Sequence, residues 1–255
     1  MSHHIVEADN LHFTYPDGTV ALRGICFRIT HGQSVALVGG NGAGKSTLLL
    51  HMTGCLLPEK GTLRIGDLPV NRQTLSTIRR TVGMVFQDPD DQLFMPTVYE
   101  DAAFGPLNLG LSRQEVRPLV EEALRRTEVL HLQNRPPFRL SAGEKRRAAI
   151  ASVLTMNPAI LVLDEPSANL DPQARRELIE LLRSFEHTKI IATHDLDLAM
   201  DLCQRTIVLE GGKVLMDAPT EEVFQNESIL LKARLGKPLR LQNCPVCGRE
   251  KSPSK

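Results

Sequence analysis

The chain has 255 residues with 30 Lys and Arg against 30 Asp and Glu, a net charge of zero, and 42% hydrophobic residues. That is an ordinary globular composition, long enough to bury a large core without disulfide or metal. Charge balance argues against nucleic acid as a partner of the whole chain, and no apolar run approaches the ~18 residues of a membrane span. The start, MSHHIVEADN, carries no basic-then-apolar signal. The expectation is a cytosolic chain whose membrane role, if it has one, comes through a partner.

In chain order, Val6 to Tyr15 and Ala21 to Ile29 alternate around Pro16-Asp17-Gly18 and predict an antiparallel sheet with a tight turn. Val35 to Val38 is a buried strand leading into a glycine-rich loop and a helical pattern that ends at Gly54. Val82 to Phe86, Ile160 to Leu163, Ile190 to Thr193 and Ile207 to Leu209 are further short apolar runs separated by helical patterns. The fold class is therefore α/β: a mostly parallel sheet covered by helices, with an added antiparallel β subdomain. Residues 98–158 lack comparable strands and carry helical patterns at Gln114 to Arg126 and Ser141 to Leu154, a helical lobe. Glu210-Gly211-Gly212-Lys213 reads as a hairpin turn, and residues 220–235 as one or two amphipathic helices. One domain is expected over residues 1–235. From Gly236 onward five Lys and Arg stand against one Glu, a basic tail. Cys26, Cys55 and Cys203 lie in apolar contexts that suit small buried hydrophobes.

The strongest chemical signal is Gly39-Gly40-Asn41-Gly42-Ala43-Gly44-Lys45-Ser46-Thr47, Gly-x4-Gly-Lys-Ser between a strand and a helix. Glycines let successive N–H groups surround a phosphate, Lys45 reaches the β and γ phosphates, Ser46 suits Mg²⁺, and the helix N-terminus favours the anion. A bare glycine-rich turn is the competing reading. Ile160 to Leu163 ends in Asp164-Glu165. Ligands sit at the carboxyl ends of parallel strands, so Asp164 suits a metal's coordination sphere and Glu165 a water-polarising base. Without the upstream loop the pair would read as a solvated strand end.

Leu140-Ser141-Ala142-Gly143-Glu144 opens a helix with Ser141 and Glu144 at capping-box spacing. Capping alone explains the spacing, yet small residues after the cap leave N–H groups open to an anion. Here the sequence resembles the ABC-type ATPases, over roughly residues 5–235. The resemblance implies that Tyr15 stacks on adenine, that Gln87 touches Mg²⁺ and reports to a membrane partner, that Ser167 to Asp171 is the D-loop, and that His194 contacts the γ phosphate. It also implies a head-to-tail pair with a second ATPase subunit, Ser141, Gly143 and Glu144 capping ATP held by the other chain. Ala142 replaces the usual first signature glycine, and Gly40 stands where many members carry proline.

Phe86 to Phe94 (FQDPDDQLF) and Thr97 to Pro106 (TVYEDAAFGP) look like the ATPases of energy-coupling-factor importers, closest to the cobalt and nickel branch. That implies a transmembrane coupling subunit, a substrate-binding membrane subunit, and a place on the cytoplasmic face of the cell membrane. Leu93, Phe94 and Met95 are candidate apolar anchors for a coupling helix, or else core of the helical lobe. Alternatives are the ATPase of a vitamin importer, a soluble non-transport ABC ATPase, and a P-loop kinase, the last disfavoured by the combined motifs. Finally, Cys244-Pro245-Val246-Cys247 has the shape of half a structural Zn²⁺ site. The missing ligands would come from a second tail or from His3 and His4, and redox chemistry or an unordered tail with free thiols are the other readings.

Overall fold

The computed structural model describes residues 4–242. Strands β1 (His4–Thr14) and β2 (Val20–Thr30) pair antiparallel around the expected turn, where Asp17 accepts from the Thr19 N–H at 2.9 Å and Gly18 has φ +88°. Alternation along β2 puts Ile25, Phe27 and Ile29 inward. The same alternation turns Cys26 to solvent, and Cys55, just past the end of the first helix, is exposed too. Two of the three cysteines expected inside are therefore outside. Cys203 is buried, and desolvation pushes its thiol up to about 12.

The chain continues through β3 (Ser34–Val38), α1 (Lys45–Met52), β4 (Lys60–Ile65), β5 (Leu68–Pro69), α2 (Leu75–Thr81) and β6 (Val82–Val85). The pattern reading missed β4, β5 and α2. Only alternate residues of β4 are buried, and Gly61 interrupts it with φ +78°. Then come α3 (Val98–Asn108), α4 (Arg113–Arg126) and α5 (Ala142–Leu154), the helical lobe. The core resumes with β7 (Ile160–Asp164), α6 (Pro172–Arg183), β8 (Thr188–Ala192), α7 (Leu196–Leu202), β9 (Arg205–Glu210) and β10 (Lys213–Pro219). The β9–β10 turn uses Gly211 and Gly212, both at positive φ as a type I′ turn requires. Two short helices follow, α8 (Thr220–Gln225) and α9 (Glu227–Lys232).

Two sheets result, ordered β2-β1-β4-β5 and β10-β9-β3-β8-β7-β6. In the second, β9, β3, β8, β7 and β6 run parallel and only β10 is antiparallel. Strands β3, β7 and β8 are buried along their whole length because helices cover one face and α1 with the antiparallel sheet covers the other, which is why they read as unbroken apolar runs. Gly39, Gln87, Glu165 and His194 all follow carboxyl ends of these parallel strands, at one edge of the sheet. The chain after Gly236 stays packed through Gln242, with a short helical turn at Leu239–Leu241. Cys244, Cys247 and His3 lie outside the described residues. Among those described, no group of three or more His, Cys, Asp or Glu side chains could hold a metal ion, and no helix is long and apolar enough to cross a membrane.

Candidate nucleotide site

A cleft of about 470 Å³ opens at the carboxyl edge of the parallel sheet. Asn41 to Thr47 line one wall, Asp164, Glu165 and His194 another, and Tyr15 and Gln87 complete the rim. Gly44 sits at φ +103°, and a side chain there would press on the Ala21 carbonyl; a side chain at Gly39 would overlap the Leu209 carbonyl. The loop therefore needs glycine at both places. Lys45 is buried, and its Nζ donates to the Gly39 and Gly40 carbonyls at 2.8 and 3.3 Å. The Tyr15 hydroxyl lies 3.1 Å from the Thr47 hydroxyl, and its ring meets Phe13 edge-on at 5.0 Å.

Asp164 is 6% exposed, and its Oδ1 has no hydrogen-bond partner. Burial raises its pKa, with Glu165 adding to the shift, while the Ser46 hydroxyl, Lys45 and Arg146 oppose it. An orphaned buried carboxylate oxygen beside a serine hydroxyl is what a hard cation needs from a protein when phosphates supply the other ligands. The donors fit Mg²⁺.

Glu165 follows at φ +43°, a left-handed conformation uncommon for a glutamate and held by its N–H on the Ala192 carbonyl at 2.8 Å. Its Oε2 accepts from the His194 N–H at 3.1 Å and lies 2.8 Å from His194 Nδ1. Glu165 and His194 thus follow neighbouring strands β7 and β8, brought together by sheet order. Asp195, next to His194, takes a two-pronged grip from Arg175 at 2.7 and 2.9 Å and a bond from the Ser167 hydroxyl at 3.2 Å. Burial alone would raise the Asp195 pKa, but these partners and the Leu198 N–H bring it below the usual carboxylate value.

Ser141, Gly143 and Glu144 stand apart from this cleft. Ser141 N-caps α5 and Glu144 closes a full capping box, its carboxylate 2.7 Å from the Ser141 N–H. Gly143 packs so near Ala174 that an added Cβ would come within 3.1 Å. Ser141 and Ala142 are exposed. Between α5 and the core lies a second cleft of about 690 Å³, shared by Ala142, Gln87, Asp164 and Asn169.

The side chain that ties these halves together was not read from sequence. Arg146 is 2% exposed, and its guanidinium donates to the Phe86 and Gln87 carbonyls at 2.7 and 2.6 Å. Gln92 supports it, accepting from Phe86 N–H at 3.1 Å and donating to the Ala149 carbonyl at 2.8 Å. An arginine on the apolar face shared with Ala149, Ile150 and Val153 was the available signal.

Of the Leu93-Phe94-Met95 triplet, Leu93 is core at 6% exposure, whereas Phe94 is 62% exposed. Phe94 meets Phe104 edge-on at 5.0 Å, and Leu107 is also exposed. The Asp101 carboxylate fixes this turn by accepting from the Phe94 and Met95 N–H groups, 3.0 Å each.

A family profile for ABC transporters matches residues 22–168. The chain belongs to the ABC transporter family. It is 65% identical over 249 residues to a Geobacter sulfurreducens protein with the name of an ABC transporter ATP-binding protein, covering 98% of this chain and all of that one. It is 47% identical to the energy-coupling factor transporter ATP-binding protein EcfA of Methanocaldococcus jannaschii, over 92% of this chain and 86% of EcfA. Its fold matches that of cbiO1 from Clostridium perfringens, described as part of the ABC transporter complex cbiONQ, with TM-score 0.80, 40% identity and coverage of 91% and 94%. A dimeric cassette bound to ADP and phosphate, MJ0796, matches with TM-score 0.76 and 29% identity over 84% of this chain and 98% of that one. As a member of this family the chain is an ABC-type ATPase that hydrolyses ATP, and it is similar to ATPases of the energy-coupling-factor type.

Proposed function

We propose that the ATPase powers import of a transition-metal ion, cobalt or nickel, from the cytoplasmic face of the membrane, with Glu165 as the general base. The observation that carries the catalytic part is the Glu165–His194 contact of 2.8 Å beside the buried Asp164 and Lys45. Lys45 and the loop amides bind the β and γ phosphates, Tyr15 packs on the base, and Ser46, Asp164 and Gln87 hold Mg²⁺. When bound, that ion draws charge from the phosphate oxygens. Glu165 takes the proton of the attacking water at its carboxylate, while His194 orients that carboxylate and faces the γ phosphate. Ser141, Gly143 and Glu144 act on nucleotide held by the partner subunit, which agrees with the exposure of Ser141 and with the absence of all three from the lining of the chain's own cleft.

Support for the cargo comes from the FQDPDDQLF and TVYEDAAFGP segments and from similarity to cbiO1. The exposed Phe94 and Phe104, with Leu107, form the dock for the transmembrane coupling subunit, which in turn works with a substrate-binding membrane subunit. Glu165→Gln keeps ATP binding and slows hydrolysis ~10²-fold or more; near-normal hydrolysis excludes Glu165 as the base. Phe94→Asp abolishes copurification with the coexpressed membrane subunit while the chain stays folded and binds ATP. Retained copurification excludes the dock. Uptake of radiolabelled cobalt or nickel by the assembled complex tests the cargo, and vitamin uptake in its place identifies the other branch.

A further inference from the structure

One peptide group in the phosphate loop is held from both edges. The Gly39 carbonyl accepts from Lys45 Nζ at 2.8 Å, and on the far side of the same planar unit the Gly40 N–H donates to the Ala233 carbonyl at 3.1 Å. Ala233 caps the C-terminus of α9. That helix ends in a Schellman turn, with Arg234 N–H on the Leu231 carbonyl at 3.1 Å and Leu235 N–H on the Leu230 carbonyl at 2.8 Å. The residue forced into the left-handed conformation is Arg234, at φ +57°, where glycine would sit without strain. Its side chain and the Ala233 carbonyl close the space over Gly40, and its Nε lies 3.5 Å from Glu210 at the end of β9.

The other end of this segment is fastened to α7, the helix that starts two residues after His194. Asp197 accepts from the Leu239 and Arg240 N–H groups at 2.9 and 3.2 Å, and Arg240 donates to Asp201 at 2.8 Å. Residues 233–240 therefore span from the phosphate loop to the helix that follows His194. None of these contacts follows from the motifs, and a proline at position 40 could not make the first one.

We propose that Ala233 is a positioning residue for ATP binding: its carbonyl orients the Gly39–Gly40 peptide on which Lys45 rests, and the strap to Arg240 holds Ala233 in place. The donors act in series, so polarisation of the Gly40 N–H by Ala233 strengthens the Gly39 carbonyl as an acceptor for Lys45. Loosening either end of the strap lets the loop relax and weakens phosphate binding. The inference rests on the reading of Gly39 to Thr47 as the phosphate loop.

The test is the affinity of the full chain for Mg-ADP, with thermal melting and amide exchange on the same samples. Gly40→Pro removes the N–H and weakens binding roughly 3- to 10-fold, the scale of one hydrogen bond. Arg240→Ala, remote from the nucleotide, weakens binding about 2-fold, speeds exchange of the Gly40 amide but not of the β3 amides, raises KM for ATP and leaves kcat unchanged. In the double variant the Arg240 effect disappears, because the bond it supports is already gone. Unchanged affinity in both single variants, multiplying effects in the double, or losses that track global unfolding each overturn the proposal. Lys45→Ala is measured beside them. Loss of binding there with no effect of the strap variants sinks the strap alone, whereas intact binding in Lys45→Ala sinks the phosphate-loop reading beneath it.

Discussion

The cleft around Lys45 and the start of α5 are built in opposite ways. In the cleft, Lys45, Asp164 and Glu165 are all under a tenth exposed and line one cavity at the end of the parallel sheet. At α5 the helix N-terminus is satisfied by its own capping box, and Ser141 and Ala142 face solvent. On the proposed function, the first region binds nucleotide within a single chain, and the second acts on nucleotide that a second chain presents. That reading divides binding from turnover between two surfaces, and it can be broken at several points.

The largest effects come from striking each region alone. Lys45→Ala loses nucleotide binding, since its ammonium is the buried cation of the cleft, whereas Ser141→Arg retains binding and abolishes steady-state hydrolysis, both read by calorimetry and phosphate release. Loss of ATP binding to the isolated Ser141→Arg chain would erase the distinction. Next is the residue that joins the regions. Arg146→Met leaves the Phe86 and Gln87 carbonyls without their donor and lowers stability by about 2 kcal/mol in urea unfolding. It also lowers hydrolysis more than binding, because the Gln87 segment loses its tie to α5.

The smallest effect has the opposite sign. Asp164 is raised by burial, so its ionisation in the nucleotide-free chain opposes folding. The penalty is absent below its unfolded value of about 4, grows as pH rises above it, and levels off above the raised folded value. Asp164→Asn therefore stabilises the nucleotide-free chain at neutral pH by on the order of 1 kcal/mol while removing Mg²⁺-dependent hydrolysis. Melting temperatures at pH 4 and pH 7 give the check: the gain is confined to the higher pH. Asp195 behaves in reverse. Its depressed pKa contributes stability above the unfolded value, lost as pH falls through the folded one, so Asp195→Asn destabilises at pH 7.

Why some of this was legible in the sequence and some was not follows from chain separation. The phosphate loop, the Asp164-Glu165 strand end and the Ser141 cap are local: strand, turn and helix start lie within a few residues, and each residue type answers a local demand. The place of His194 came with the family resemblance, and its contact with Glu165 was not read, because it rests on the pairing of β7 with β8, which no local pattern states. The Leu93-Phe94 split was hidden because an apolar triplet does not say which member points inward; that was decided by Asp101 gripping two backbone N–H groups. Arg146 and Ala233 were invisible as partners because they bind backbone carbonyls and amides, which every residue owns, at separations of about sixty and nearly two hundred residues. The exposed Cys26 shows the reverse failing, in which local apolar context misled and strand parity decided.

Complementation between the two dead variants tests the divided site most directly. Lys45→Ala chains have intact signature helices, and Ser141→Arg chains have intact clefts. In a head-to-tail pair of one of each, one site carries both lesions and the other carries none. Mixing the two purified variants one to one should restore hydrolysis from background in both parents toward about a quarter of the wild-type rate, since half of randomly formed pairs are mixed and each holds one sound site. A mixture no more active than the sum of its parents would contradict the account, because it would mean that the cleft and the signature helix act within the same chain.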